Sequence, residues 1–296
     1  MKNQLYQKEE AKQFYEDRYE KGYMDEWPTE KKQRVFEVIK LLNLPESGTA
    51  LDFGCGNGVF TNVLKQALPN WKVYGSDISV KAIENAKNRF KDCLFFVSDN
   101  EKEQDIKFDF LFSHHVLEHV FDIKKTTSEI NALLKPQASV LHIFPCGNEG
   151  SFEYNICIRR KDGINSAMEN RFFFEDEGHI RRLTTLQTND LMKPHDFALE
   201  KDFYSNQHAG AIKWISQSAL KFIWELTNTN KAIDKNAFLY LFSLRIKFLF
   251  LFLLQAPAIF NNRIKLVRNK KLIHYLFLIV NFIPSLLSSP IYAFYK

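Results

Sequence analysis

The sequence predicts an α/β fold: a doubly wound, mainly parallel sheet with helices on both faces, followed by an apolar, basic, α-helical C-terminal extension. Three observations carry this reading. Short apolar runs alternate with amphipathic stretches over about 100 residues, a glycine-rich turn follows the first of those runs, and the composition changes in kind after residue 230. The 296 residues are 45% hydrophobic and 25% charged, enough apolar matter for a packed core and too much for a disordered chain.

Taken in order, residues 3–23 are polar and helix-prone, with Phe14, Tyr15 and Tyr19 near one face. A second helix is expected over 30–42, where Val35, Val38, Ile39 and Leu42 recur at helical spacing and Pro45 and Gly48 close it. The apolar runs 50–53, 72–76, 93–97, 108–112 and 139–144 read as strands, with helices over 59–67, 79–90 and 123–134 between them. Strands separated by helices imply parallel pairing, because parallel neighbours need a crossover. After Pro145 the rhythm breaks. Residues 147–182 read as an irregular, lid-like insertion in which Phe172-Phe173-Phe174 precedes Glu175-Asp176-Glu177. A helix over 185–192 and a strand over 197–204 are expected to resume the fold, and 212–226 reads as one helix. This gives N-terminal helices at 1–47, an α/β domain at 48–210 and a helical region at 211–296.

Charge is unevenly spread. Residues 231–296 hold ten Lys/Arg and one acid, Asp234, a local +9, which leaves −4 on the first 230. A mildly acidic body with a greasy basic tail is not the footprint of a nucleic-acid binder, whose basic side chains line a polar groove. In the tail, 248–260 is strongly apolar but short, 261–271 carries five basic residues, and 272–294 runs 23 residues without Asp, Glu, Lys or Arg. His274, Asn281, Pro284 and Pro290 interrupt that last run. Three readings stand: helices lying in a membrane interface, a packing cap, or a span. The coincidence of apolar and basic residues favours the first, on an anionic surface. Four cysteines without a CxxC pair argue against a disulfide scaffold or zinc ribbon. With a charged, non-apolar start and no secretory signal pattern, they suggest a cytoplasmic protein.

The strongest chemical signal is Leu51-Asp52-Phe53-Gly54-Cys55-Gly56-Asn57-Gly58, between a short strand and a helix. Glycines there let the backbone turn sharply and approach a ligand where a side chain would collide. Nineteen residues beyond Gly58, Asp77 ends the second strand, and Asp99, followed by Asn100, ends the third. A carboxylate at the second position can accept two hydrogen bonds from a ribose diol, and ligands in such sheets bind outside the carboxyl ends of the strands. Each acid alone could be a helix N-cap. Their recurrence on consecutive strand ends favours the ligand site.

These residues resemble the class I S-adenosylmethionine-dependent methyltransferase family, which has a Rossmann-like fold. LDFGCGNG is similar to its first motif, GSDIS to its second-strand acid, SDN to its third, and the run 110–120 to its fourth-strand segment. Leu133-Leu134-Lys135-Pro136 looks like the turn before the fifth strand, although Gln137-Ala138 stands where the family usually has two glycines. The branch it is most similar to includes quinone-biosynthesis and lipid- or sugar-modifying enzymes. The resemblance implies that Asp52 orients the loop and the amino-acid end of the cofactor S-adenosyl-L-methionine. It also implies that Gly54, Cys55, Gly56 and Gly58 face the methionine portion, that Asp77 holds the ribose, and that Ile78 packs on adenine. Asp99 and Asn100 would read the adenine, Ser113 and His114 would line the pocket below the sulfonium, and the helices at 1–47 would cover the site.

Methyl transfer to oxygen needs a proton acceptor, for which His115, His119 and His179 are candidates. His179 is favoured first, because it follows the insertion expected to cover the pocket. Arg159, Arg160 and Lys161 could pair an anionic head group or be a solvated loop. The expected acceptor is a small or lipid-linked molecule at the inner face of the cytoplasmic membrane. His115-Val116-Leu117-Glu118-His119 also fits the inverted zinc-protease pattern, but no third ligand is in place and no metal is expected. Two rivals remain open. A nicotinamide-dependent oxidoreductase would need its third glycine at Val59, and a non-catalytic S-adenosylmethionine binder would keep the site without the chemistry.

Overall fold

The computed structural model describes residues 8–98, 105–176, 178–205 and 208–264. Asp99, Asn100, Glu177 and the apolar run 272–294 lie outside the described residues. The described chain divides into two compact units, residues 1–145 with 190–197, and residues 146–189 with 198–296.

The first unit is the sheet domain. After α1 (Lys8–Glu20) and α2 (Thr29–Leu41) come β1 (Thr49–Phe53), α3 (Val59–Ala67), β2 (Lys72–Asp77), α4 (Val80–Arg89), β3 (Leu94–Val97), β4 (Phe108–His114), α5 (Ile123–Ala132) and β5 (Leu134–Ile143). The order across the sheet is β3-β2-β1-β4-β5, with every pair parallel. The direction of winding reverses between β1 and β4, which is where open α/β sheets leave a crevice at the carboxyl ends of their strands. Along β1, β2 and β4 successive residues are buried without alternation because helices cover both faces. In α3, Phe60, Val63, Leu64 and Ala67 fall on one buried face and meet Val35 and Ile39 of α2. Trp71, Phe110 and Phe112 complete that core.

One local departure follows from chemistry. The fifth strand begins at Leu134 rather than 139, with Phe108 opposite Leu134 and Phe110 opposite Ser139. The extra residues are accommodated by Gln137 at φ 64, the left-handed conformation for which a glycine would carry no Cβ penalty.

The second unit groups 146–189 with the C-terminal helices, so the boundaries drawn at 47 and 210 differ from this division. Its elements are α6 (Phe152–Cys157), a short hairpin of β6 (Ile164–Asn165) and β7 (Arg171–Phe172), α8 (Ala209–Ser216), α9 (Leu220–Leu226) and α10 (Lys235–Ile264). The helix α7 (Thr185–Met192) forms as expected. Phe152 and Ile156 pack with Ala211, Ile215, Ile223, Leu241, Leu244 and Phe248, which is why the insertion joins the tail.

Three expectations need correction. Residues 212–226 form two helices, because Ser216 and Ser218 turn their hydroxyls back onto the carbonyls of Lys213 and Trp214 and end α8. Residues 197–204 are coil, held by side chains: Tyr204 Oη bonds Asp202, Thr185 and Asn148. Arg160 is no head-group ligand. It is 4% exposed, donates to the carbonyls of Glu225 and Leu226, and pairs with Asp162 and Glu225. Arg159 lies over the Tyr240 ring.

A buried ion cluster stitches this unit. Arg182 pairs with both Glu153 and Glu175, Glu175 also bonds His179 Nδ1, and Trp214 Nε1 donates to Glu153 at 2.8 Å. Burial opposes ionisation of Glu175, yet the His179 bond and the Arg182 charge outweigh it and hold the carboxyl below its usual range.

Candidate active site

The carboxyl ends of β1 and β2 meet at the glycine turn. Asp52 pairs in register with Gly75, so Asp52 and Asp77 sit at neighbouring strand tips. Both are buried, at 1% and 7% exposure. Thr61 Oγ1 on the first turns of α3 donates to Asp52 Oδ2 at 2.6 Å. Asp77 accepts from Gly56 N–H at 2.8 Å and from Ser79 N–H at 2.9 Å, which ties the glycine turn to the end of β2. No basic side chain bonds either carboxylate among the described residues. Burial therefore pushes Asp52 up to about 7, partly countered by Thr61 and reinforced by the charge of Asp77. Burial likewise pushes Asp77 up to about 6 against the pull of its N–H donors.

Gly54, Gly56 and Gly58 all take positive φ. At Gly54 a Cβ would stand 2.5 Å from a methyl of Val116, and at Gly58 2.9 Å from Ala86 Cβ. The turn thus keeps a bare backbone where the chain from β4 and the helix α4 press in. Cys55 Sγ is turned toward the Gly56 carbonyl, and burial raises its thiol well above the usual range, which favours the protonated thiol. Ile78 is half-buried beside Asp77.

Residues that motif reading did not find close this corner. Glu16 of α1 accepts from Ser79 Oγ at 2.7 Å and from the amides of Val80 and Lys81, which caps α4 from outside. The Tyr19 hydroxyl lies over Gly56, where a Cβ would approach it to 2.6 Å. Asn57 donates to the Tyr23 carbonyl and to Asp25, and accepts from Asn85, pinning the segment after α1 to the turn. The N-terminal helix α1 thus lies against the glycine turn. No signal in a polar helix announces a partner more than sixty residues away.

The end of β4 carries the histidines. Ser113 Oγ faces sideways to His142 Nδ1 of β5 at 2.7 Å, inside the sheet. His114 sits among Phe60, Trp27 and Phe112, and burial lowers its pKa well below the usual value, so it is neutral. His115 takes φ 57 and donates its N–H to the Ile143 carbonyl at 2.8 Å. Its Nδ1 meets Glu118 Oε1 at 2.7 Å, and Glu118 is 1% exposed. A carboxylate at Nδ1 selects the tautomer that leaves Nε2 as acceptor. His119 lies edge-on to Tyr15, at 5.9 Å between ring centres. Residues 115–119 form a turn, so the two histidines do not share a helical face as the zinc-protease pattern requires. His179 lies in the second unit with Glu175.

A methyltransferase-domain family model matches residues 23–202, more than half of the chain. The chain belongs to the class I S-adenosylmethionine-dependent methyltransferases. Its cofactor is S-adenosylmethionine, and the site fits it: a bare glycine cradle lies beside two buried carboxylates to which no basic side chain bonds among the described residues. The oxidoreductase reading is thereby set aside, and Val59, where its third glycine would stand, is a buried residue of α3. Among curated relatives, a trans-aconitate 2-methyltransferase of Variovorax paradoxus is 30% identical over 102 residues, 34% of this chain and 39% of that protein. A malonyl-[acyl-carrier protein] O-methyltransferase of Ilyobacter polytropus is 28% identical over 130 residues, 43% of this chain and 50% of that protein. A demethylmenaquinone methyltransferase of Thermotoga maritima is 27% identical over 189 residues, 60% of this chain and 81% of that protein. The chain thus spans half or less of the length of the first two of these relatives.

Proposed function

We propose that this chain transfers a methyl group from S-adenosylmethionine to an oxygen of a small or lipid-linked acceptor at the inner face of the cytoplasmic membrane. The observation that carries the proposal is that the strand-tip acids Asp52 and Asp77 and the His115–Glu118 pair stand at the same ends of neighbouring strands, β4 lying next to β1. The cofactor supplies an electrophilic methyl on a sulfonium. The chain's part is to hold it, to set the acceptor in line at about 3–3.5 Å, worth roughly 7–11 kcal/mol, and to take a proton. Asp77 keeps lone pairs beyond its backbone donors for a ribose diol. His115 Nε2 is the proton acceptor, oriented by Glu118, in preference to His179, whose carboxylate partner is shared with Arg182. Transfer to oxygen is favoured by the name of one relative, and a quinone-type or lipid-linked acceptor by the name of another together with the basic, apolar tail.

The test is incubation with methyl-tritiated S-adenosylmethionine, a membrane lipid extract and, separately, a panel of soluble carboxylic acids. Label is expected in the lipid fraction. Tight cofactor binding without label in either fraction would instead make the chain a non-catalytic binder. In the same assay His115→Ala is expected to lose about 100-fold in turnover with cofactor affinity unchanged. His179→Ala is expected to stay within about twofold, and the reverse pattern would move the base to His179.

A further inference from the structure

The helix α10 is apolar on two opposite faces. One face, with Ala237, Leu241, Leu244, Phe248 and Leu251, is buried against the rest of the second unit. The other presents Phe238, Leu239, Phe242, Ile246, Phe250 and Leu253, each between 44% and 68% exposed. At 100° per residue these six fall within one third of the helix circumference, and from 238 to 253 the stripe runs about 22 Å. A soluble protein does not ordinarily leave so long an aromatic stripe in water. The helix is long and apolar enough to cross a membrane, yet only 22% of its most apolar window is buried, so it is not an ordinary core helix.

We infer that α10 docks lengthwise on an anionic lipid bilayer, with the stripe from Phe238 to Leu253 among the acyl chains and its opposite face still packed on the second unit. This rests on the membrane-surface reading above and names the surface that makes the contact. Three observations select lipid in this pose. One face of α10 is packed on protein, so lipid cannot surround it as a span requires. The helix has no acid, and residues 231–296 carry ten basic residues against one acid, which attracts anionic headgroups and repels a second copy of the same face. Trp224, 53% exposed, lies under the Arg245 guanidinium at 4.2 Å, an aromatic–cation pair of the kind that sits at headgroup level.

The experiment measures partition of the full chain onto vesicles of phosphatidylethanolamine and phosphatidylglycerol, with phosphatidylcholine vesicles as the neutral control. Wild type is expected to bind the anionic vesicles more tightly, to lose affinity as salt rises from 0.15 to about 1 M, and to be released by alkaline carbonate. Phe242→Ser is expected to weaken partition about fivefold, and Phe242→Ser with Ile246→Ser and Phe250→Ser more than about 30-fold. All three positions are exposed, so melting temperature and cofactor affinity, measured without vesicles, are expected to hold. Unchanged partition of the triple variant overturns the inference, as does resistance of the wild type to carbonate, which marks a span. Loss of a dimer in light scattering with partition intact also overturns it, because the stripe then serves a second copy. Loss of vesicle binding with intact cofactor affinity, or the converse, separates this inference from the enzymatic reading.

Discussion

The two units each bury acidic side chains, and they treat them in opposite ways. In the second unit Glu153 and Glu175 are closed around Arg182, with Trp214 and His179 taking the remaining bonds, and Glu175 stays ionised. In the first unit Asp52 and Asp77 receive a hydroxyl and backbone amides, with no basic side chain among the described residues, and burial pushes both upward. The first arrangement is complete as it stands and serves stability. The second leaves charge unbalanced, a cost that folds retain at sites where a ligand completes the electrostatics. A cationic sulfonium with a diol is such a ligand.

The largest effect should come from breaking the complete cluster. Arg182→Met leaves two carboxyls buried without their cation and is expected to cost about 3–5 kcal/mol. That corresponds to a melting temperature lower by roughly 10 °C, read by calorimetry. A loss below about 1 kcal/mol would show that the cluster is not the structural stitch described.

A smaller effect sharpens the contrast from the other side. Because the folded carboxyls of Asp52 and Asp77 lie above their unfolded values, the folded state binds protons more tightly between about pH 4 and 7. Their contribution to stability is therefore full below that window and is lost as pH rises through it. The ligand-free protein is expected to melt several degrees lower at pH 8 than at pH 5 on this account. Added S-adenosylmethionine favours the ionised acids, so the thermal shift it produces should grow across the same interval. A shift independent of pH would contradict the unbalanced pair.

The smallest effect lies at the turn into β5. Gln137→Gly is expected to stabilise by about 0.5–1 kcal/mol, since φ 64 carries no Cβ penalty for glycine. Destabilisation would mean that the Gln137 side chain, rather than its backbone, holds the irregular pairing of β4 and β5.

Much of the sheet domain is legible in the sequence. Five apolar runs became five strands, and 59–67 is a helix end to end, because the periodicity and the glycine turn are local signals. The places of Asp52 and Asp77 at strand ends were legible for the same reason. What could not be read depends on distance in the chain. Glu16 caps a helix 64 residues away, and Arg182 meets Glu153 across 29, and neither pairing leaves a trace in local pattern. Arg160 read as a solvated base because its neighbours are polar, yet carbonyls of α9 bury it. The stretch 197–204, expected as a strand, is coil in which Tyr204 is held by side-chain bonds to Asp202 and Asn148, partners that local pattern does not reveal.

Equilibrium titration of S-adenosylmethionine into wild type and Asp77→Ala, followed by heat at pH 8, tests most directly whether the tips of β1 and β2 bind the cofactor. The account predicts saturable one-to-one binding to wild type and a loss of tenfold or more in the variant, the roughly 1–3 kcal/mol of one buried hydrogen-bond partner. Equal affinity in the two proteins would contradict it.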